Sequence, residues 1–155
     1  MKIKSVRANN RRKAFLVRTS AKTLPFPYVK AEPPPTASDG VARVFVDEET
    51  NGEAFTYELA SGREGTIHVE QVLAYNQDPG YLRDQLLYKM TLEVQKRIEC
   101  SPLSKREMIR RLGTSATQFY RLLDQTNYRK SIDQMMRLLH VLDCDVDLVV
   151  RAKTA

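Results

Sequence analysis

Cysteine and histidine are scarce in this chain, with two of each among 155 residues. Cys100 and Cys144 are too few and too isolated for a disulfide framework or a zinc site. The phosphate-binding, dinucleotide-binding and metalloprotease motifs are all missing, and His68 and His140 lie in separate predicted elements. We therefore predict no metal, no cofactor and no catalytic residue. An enzymatic role would require a pocket in which the pKa values of the acidic residues within 47–64 are strongly shifted.

Long apolar runs are also missing, because no stretch of about 18 apolar residues occurs. The basic N-terminus lacks the apolar segment and cleavage site of a secretory signal. We therefore expect a cytoplasmic protein with no membrane partner.

Acidic residues are absent from residues 1–30, which carry nine lysines and arginines. Residues 31–80 carry ten acids and two basic residues, and the whole chain has a formal net charge of +6. Basic ends favour a polyanionic partner. Alternatively, the first two stretches neutralise each other as neighbouring strands.

Residues 1–77 have the alternation and turn signals of a β-rich domain, with no recognisable role. A basic hairpin turns at residues 9–12, and Asn51-Gly52 is a strong hairpin turn between two further strands. The prolines of residues 24–29 restrict that stretch to an edge strand or a loop. Strands are predicted at Lys2–Ala8, Ala14–Val17, Val41–Asp47, Ala54–Leu59 and Thr66–Val69, and a short helix at Val69–Tyr75.

Residues 78–155 carry helical patterns instead. Asp78-Pro79 is a helix start, and apolar residues then recur every four positions, which predicts one helix of about 20 residues ending before Pro102. Ser104 with Glu107, and Ser115 with Gln118, are capping boxes on either side of Gly113. Helix, glycine turn and helix within about 22 residues is the helix-turn-helix pattern. A third capping box, Ser131 to Gln134, begins another helix.

A wider pattern joins these signals, at Leu103-Ser104, Ile109–Gly113, Ser115, Arg121-Leu122-Leu123, Ser131, Leu138-Leu139 and Val141–Val150. In these residues the region resembles the phage-repressor-like helix-turn-helix family (XRE, Cro/C1 type), in its antitoxin-like variety. The resemblance covers the C-terminal part only and departs at Ile109, where the family usually has a small residue. It implies a lambda-repressor-like helical bundle, and the weak alternation of residues 146–150 predicts a short strand at its end. Together with the strands of residues 1–77, this predicts an α+β chain: a small antiparallel β unit, then a helical bundle that ends in a short strand.

The second helix of such a motif enters the major groove of DNA, and its first residues face the bases. Arg121 is the strongest candidate, because a guanidinium can grip a guanine edge with two hydrogen bonds. The predicted base contacts are Ala116, Thr117, Tyr120 and Arg121. The predicted phosphate contacts are Lys105, Arg106, Arg110, Ser115, Tyr128, Arg129 and Lys130.

The resemblance implies a sequence-specific transcriptional regulator, either a repressor or an antitoxin-like autoregulator. It also implies a homodimer on double-stranded DNA. The alternative is a protein-interaction module that holds a toxin or another partner subunit with little DNA binding. The N-terminal domain would bind a partner, mediate dimerisation or sense a signal, or its basic hairpin would add a DNA contact.

Overall fold

The computed structural model describes residues 1–153, and the chain forms two compact units, Met1–Leu82 and the residues from Arg83 onward. The first unit contains two three-stranded antiparallel sheets. The first sheet has the order β1-β2-β3 and the second β4-β5-β6. The strands are β1 (Ile3–Asn9), β2 (Ala14–Thr19), β3 (Thr23–Pro27), β4 (Val41–Asp47), β5 (Ala54–Leu59) and β6 (Glu64–His68).

Proline content and turn chemistry explain this arrangement. Pro25 and Pro27 lie in β3, an edge strand, where a missing amide donor removes no ladder bond. The six-residue turn between β4 and β5 includes Asn51 (φ 56°) and Gly52 (φ 79°), both in the left-handed region that asparagine and glycine adopt most readily. A single 3-10 turn follows β3 at Tyr28–Lys30, and the helix α1 (Val69–Tyr75) follows β6.

The core of the first unit is aromatic. Phe15 of β2 lies 5.1 Å from Phe55 and 4.9 Å from Tyr57 of β5, measured between ring centroids. All three side chains are completely buried. Val69, Val72 and Leu73 of α1 pack into the same cluster.

The second unit is helical. The long helix α2 (Pro79–Cys100) begins in the first unit and supplies Leu87 and Val94 to the second core. Three shorter helices follow, α3 (Lys105–Leu112), α4 (Ala116–Leu123) and α5 (Ile132–Val141). Their buried side chains are Met108, Phe119, Leu122, Met135, Leu138, Leu139 and Leu142.

The predicted fold is wrong. Two separate three-stranded sheets occupy residues 3–68 and five α-helices follow them, so within residues 1–153 no bundle ends in a strand. Among residues 1–153, the stretch Val146–Val150 belongs to no helix or strand, and Leu148 and Val150 are each 82% exposed. Its alternating pattern finds no ladder partner in the part of the chain that the structure describes, and a strand requires one. No helix in residues 1–153 is long and apolar enough to cross a membrane.

Candidate nucleic-acid interface

Two N-caps and one glycine C-cap determine the path of the chain from α3 to α4. Ser104 caps α3, its hydroxyl oxygen accepting the amide of Glu107 at 3.1 Å. Gly113 ends α3 in the left-handed conformation (φ 70°), with its amide donating to the carbonyls of Ile109 and Arg110. Ser115 then caps α4 by accepting the amide of Gln118 at 3.1 Å. The connection between the helices therefore takes three residues, 113–115.

Burial divides α4 into two sides. Phe119 and Leu122 are 0% and 2% exposed and pack in the core with Met108 of α3. The other side is exposed and holds the four predicted base contacts, Ala116, Thr117, Tyr120 and Arg121. In residues 1–153 the Arg121 guanidinium makes no ion pair and no hydrogen bond. This side of α4 therefore presents a methyl group, a hydroxyl, a phenol and an unpaired cation to solvent.

Lys105 lies beside this exposed side, with its Nζ 5.9 Å from the centre of the Tyr120 ring. This distance is within the range of a cation–π contact. The Tyr120 ring also meets Phe119 edge-on at 5.5 Å between centroids. The structure thus brings one predicted phosphate contact and one predicted base contact together. Arg106 and Ser115 are exposed as well.

Glu107 takes a role that its capping-box pattern does not predict. Its carboxylate does not return to the Ser104 amide but accepts from Arg110 at 2.5 and 2.9 Å and from Arg111 at 3.0 Å. These arginine hydrogen bonds lower the pKa of Glu107 to about 2. Arg110 is exposed, yet its charge is already paired, so it is a weaker candidate for a phosphate contact than an unpaired arginine.

The C-terminal end of α4 is held by three side chains, which we call the α4 clamp: Gln95, Asn127 and Lys130. A helix end leaves its last carbonyls without partners. Asn127 donates to the carbonyl of Arg121 at 3.1 Å, and Gln95 to that of Leu123 at 2.7 Å. Lys130 donates to the carbonyl of Leu122 at 3.0 Å. The clamp therefore satisfies three successive carbonyls at the end of the helix.

Lys130, one of the predicted phosphate contacts, is buried. It is only 3% exposed, and its Nζ also donates to Thr91 at 2.5 Å and to the Asp124 carbonyl at 2.9 Å. Burial lowers the pKa of Lys130, against the opposing effect of the Asp124 charge. An ammonium whose three donors are used inside the protein has none left for DNA. In the structure Lys130 instead holds the end of α4, through the Leu122 carbonyl.

Tyr128 and Arg129 lie in the loop after α4 and are exposed. The Tyr128 carbonyl accepts from Arg83 of α2 at 3.3 Å, and the Arg129 amide donates to Asn127 at 3.1 Å. The backbone of this loop is thus tied to α2 and to the clamp, while both side chains remain available to a partner.

Sequence reasoning missed Gln95 and Asn127 because no local pattern marks them. Gln95 lies 28 positions before the carbonyl that it contacts, so only the tertiary fold reveals the pair. The third capping box is confirmed: Ser131 accepts the Gln134 amide, and Gln134 accepts the Ser131 amide at 2.9 Å.

Acids of the first unit line an open groove on the second sheet. Asp47, Glu48, Glu49 and Glu64 share it with Arg43, and it does not enclose them. Within residues 1–153 no group of three or more histidine, cysteine or acidic side chains is placed to hold a metal ion.

Comparison with known proteins finds no family model, no curated protein and no solved structure that matches this chain.

Proposed function

We propose that this protein binds double-stranded DNA in a sequence-specific way through α4 and acts as a small transcriptional regulator of the repressor type. The observation that carries the proposal is the exposed side of α4. It combines an unpaired Arg121 with Thr117 and Tyr120 on a helix that is fixed at both ends. A rigid helix loses little conformational freedom when it enters the major groove, so its side chains can discriminate between bases.

The charges around α4 support the same proposal. Lys105 and Arg106 lie at the start of α3, and Arg129 follows α4; all three are exposed. Of these, none makes an ion pair within residues 1–153. Cations on both sides of a recognition helix suit contacts to the DNA backbone, which position the helix without reading the sequence.

We further propose that the protein binds as a homodimer, because regulators with this motif read two half-sites related by a two-fold axis. A palindromic binding site would be the expected consequence.

The test is selection of bound duplexes from a random DNA pool, using the intact chain and the variant Arg121→Ala. Arg137→Ala is the matched control, because Arg137 is an exposed arginine on α5, outside the motif. We expect a palindromic sequence, and a loss of roughly 1–3 kcal/mol at one base position in Arg121→Ala alone. No enriched sequence, or the same enriched sequence in all three proteins, would refute base reading by Arg121.

A second candidate function is binding of a partner protein, such as a toxin or another subunit. The observation that favours it is the exposed apolar stretch at residues 146–150, where Val149 is 67% exposed. Extended apolar segments can add a strand to a partner's sheet edge. Co-expression with the product of a neighbouring gene, with Leu148→Ser and Val150→Ser as a paired variant, tests it: a complex that the variant forms equally well would exclude this segment.

A further inference from the structure

The first unit carries a row of cations that the structure leaves unpaired. Of the nine lysines and arginines in residues 1–30, only Lys22 forms an ion pair within the described part of the chain, with Asp78. The neighbouring acids pair elsewhere: Asp39 with Arg63, and Glu58 with Arg43. Ion pairs between residues 1–30 and the acidic residues of 31–80 therefore do not neutralise the β1–β2 hairpin.

Two of these cations share one face of the β1–β2 hairpin, and three more lie in its turn. In the β1–β2 ladder, Arg7 is opposite Leu16 and Arg18 is opposite Ser5. Residues opposite each other share a face, so both arginines project away from the core face that holds Phe15 and Val17. We call the set Arg7, Arg11, Arg12, Lys13 and Arg18 the basic strip, and all five are exposed.

The turn that carries the middle of the basic strip is fixed by hydrogen bonds. Asn9 accepts the amide of Arg12 at 3.0 Å, and Asn10 accepts the hydroxyl of Tyr28 at 2.8 Å. The Tyr28 amide also donates to the carbonyl of Lys13 at 2.9 Å, and Tyr28 itself is only 6% exposed. The backbone that presents these cations is therefore ordered before any ligand binds, which lowers the entropic cost of binding.

We propose that the basic strip binds the phosphate backbone of duplex DNA without regard to sequence, as a contact separate from α4. The four steps from Arg18 to Ala14, the last paired residue before the turn, span about 13 Å at about 3.3 Å per residue. Phosphates follow each other every 3.4 Å or so along the axis of one DNA strand, so a strip of this length faces several of them.

Other polyanions fit this surface less well. Single-stranded nucleic acids need exposed aromatic rings for base stacking, whereas Phe15, Phe26 and Tyr28 are buried. A membrane needs an apolar wedge as well as charge. Close to the turn, Val29 is 81% exposed, but one valine beside a fully polar turn is too small a wedge.

The test measures the salt dependence of binding to a random-sequence duplex of 20 base pairs, with the intact chain. A random duplex removes base reading by α4 from the measurement. The strip variant changes three arginines of the basic strip to glutamine. A control variant removes the same charge from three exposed cations elsewhere. The strip variant is Arg7→Gln, Arg12→Gln, Arg18→Gln, and the control variant is Lys89→Gln, Lys96→Gln, Arg137→Gln.

Each lost phosphate contact lowers the slope of log affinity against log salt by about 0.9. We expect the slope to fall by roughly 2–3 in the strip variant and by less than about 1 in the control, because only local contacts release counterions. Replacing the same three arginines by lysine should restore most of the slope. Equal slopes in the strip and control variants would overturn the proposal. So would tight binding to anionic phosphatidylserine vesicles combined with an unchanged DNA slope.

The outcome is separable from that of the proposed function. Failure to select any sequence, with the strip variant still altering the slope, would refute base reading by α4 alone. A selected palindrome lost in Arg121→Ala, with a slope insensitive to the strip variant, would refute the basic strip alone.

Discussion

Replacement of Lys130 by methionine removes one member of the α4 clamp while keeping an unbranched chain of similar length. The lysine is 3% exposed, so the methionine stays in the same buried space. What disappears is the ammonium group and its three hydrogen bonds, to Thr91 and to the carbonyls of Leu122 and Asp124. The change therefore isolates what the buried charge contributes to the stability of the second unit.

The expected loss of stability depends on which of the three acceptors keeps another hydrogen-bond partner in the variant. The Thr91 hydroxyl still donates to the Leu87 carbonyl at 2.7 Å, and the Asp124 carbonyl still accepts the Asn127 amide at 3.1 Å. The Leu122 carbonyl has no other partner in the described chain, so it alone becomes unsatisfied. An orphaned buried acceptor costs about 1–3 kcal/mol.

Removal of the buried charge offsets part of that loss of stability. Burial disfavours the ammonium, which is why the pKa of Lys130 is lowered, and methionine avoids this desolvation. The loss of the hydrogen bonds to Thr91 and Asp124 acts in the opposite direction to this relief. We therefore expect a net destabilisation of about 1–3 kcal/mol, the cost of leaving the Leu122 carbonyl without a partner.

The assay is urea unfolding followed by circular dichroism at a helical wavelength, with Lys89→Met as the matched control. Lys89 is exposed on α2, and surface substitutions usually change stability by less than about 0.5 kcal/mol. A Lys130→Met variant within that margin of the wild type, or more stable than it, would show that the ammonium does not stabilise the end of α4. The clamp would then rest on Gln95 and Asn127 alone.

Two other substitutions test single contacts. Glu107→Gln removes a carboxylate whose pKa is lowered from 4.5 to about 2, so the wild type should lose stability relative to the variant as pH falls from about 4.5 to about 2. Circular dichroism melts across that range would check it, and a constant difference would refute the assignment. Tyr57→Phe removes the hydroxyl that donates to the Pro33 carbonyl at 2.6 Å, and should cost about 1–2 kcal/mol in urea unfolding, whereas the exposed Tyr75→Phe should cost little. Because burial raises the pKa of Tyr57 to about 12, wild-type stability should also fall relative to Tyr57→Phe as pH rises from about 10.0 to about 12.

Elements defined by short-range signals could be predicted from the sequence. The helix α2 begins at Pro79, as the Asp78-Pro79 start signal predicts, and it ends before Pro102. The predicted short helix Val69–Tyr75 is α1, with the same bounds. Gly113 and the caps at Ser104 and Ser115 occupy their predicted positions. In each case a capping side chain, a proline or a glycine acts on backbone groups a few residues away, so the local sequence is enough to predict the element.

Features that need a distant partner could not be predicted in this way. The alternation at residues 146–150 describes side chains suited to a strand, but a strand exists only when another strand offers its amides and carbonyls. The same limit applies to the capping box at Ser104. Its serine half forms, whereas Glu107 lies within reach of two arginines on its own helix, and charged donors compete well for a carboxylate.

Lys130 shows why a basic residue in a segment that resembles a DNA-binding motif does not by itself indicate a phosphate contact. Arg129 and Lys130 are adjacent in the same loop, and the sequence favours the same role for both. The structure separates them, since Arg129 is exposed and Lys130 is 3% exposed. Thr91 and the end of α4 supply three acceptors at the point where the Lys130 chain enters the core. A lysine there can satisfy the helix end because it carries three donors on one atom. Its cation therefore positions the proposed recognition helix, and the proposed contact with DNA falls to the exposed residues around it.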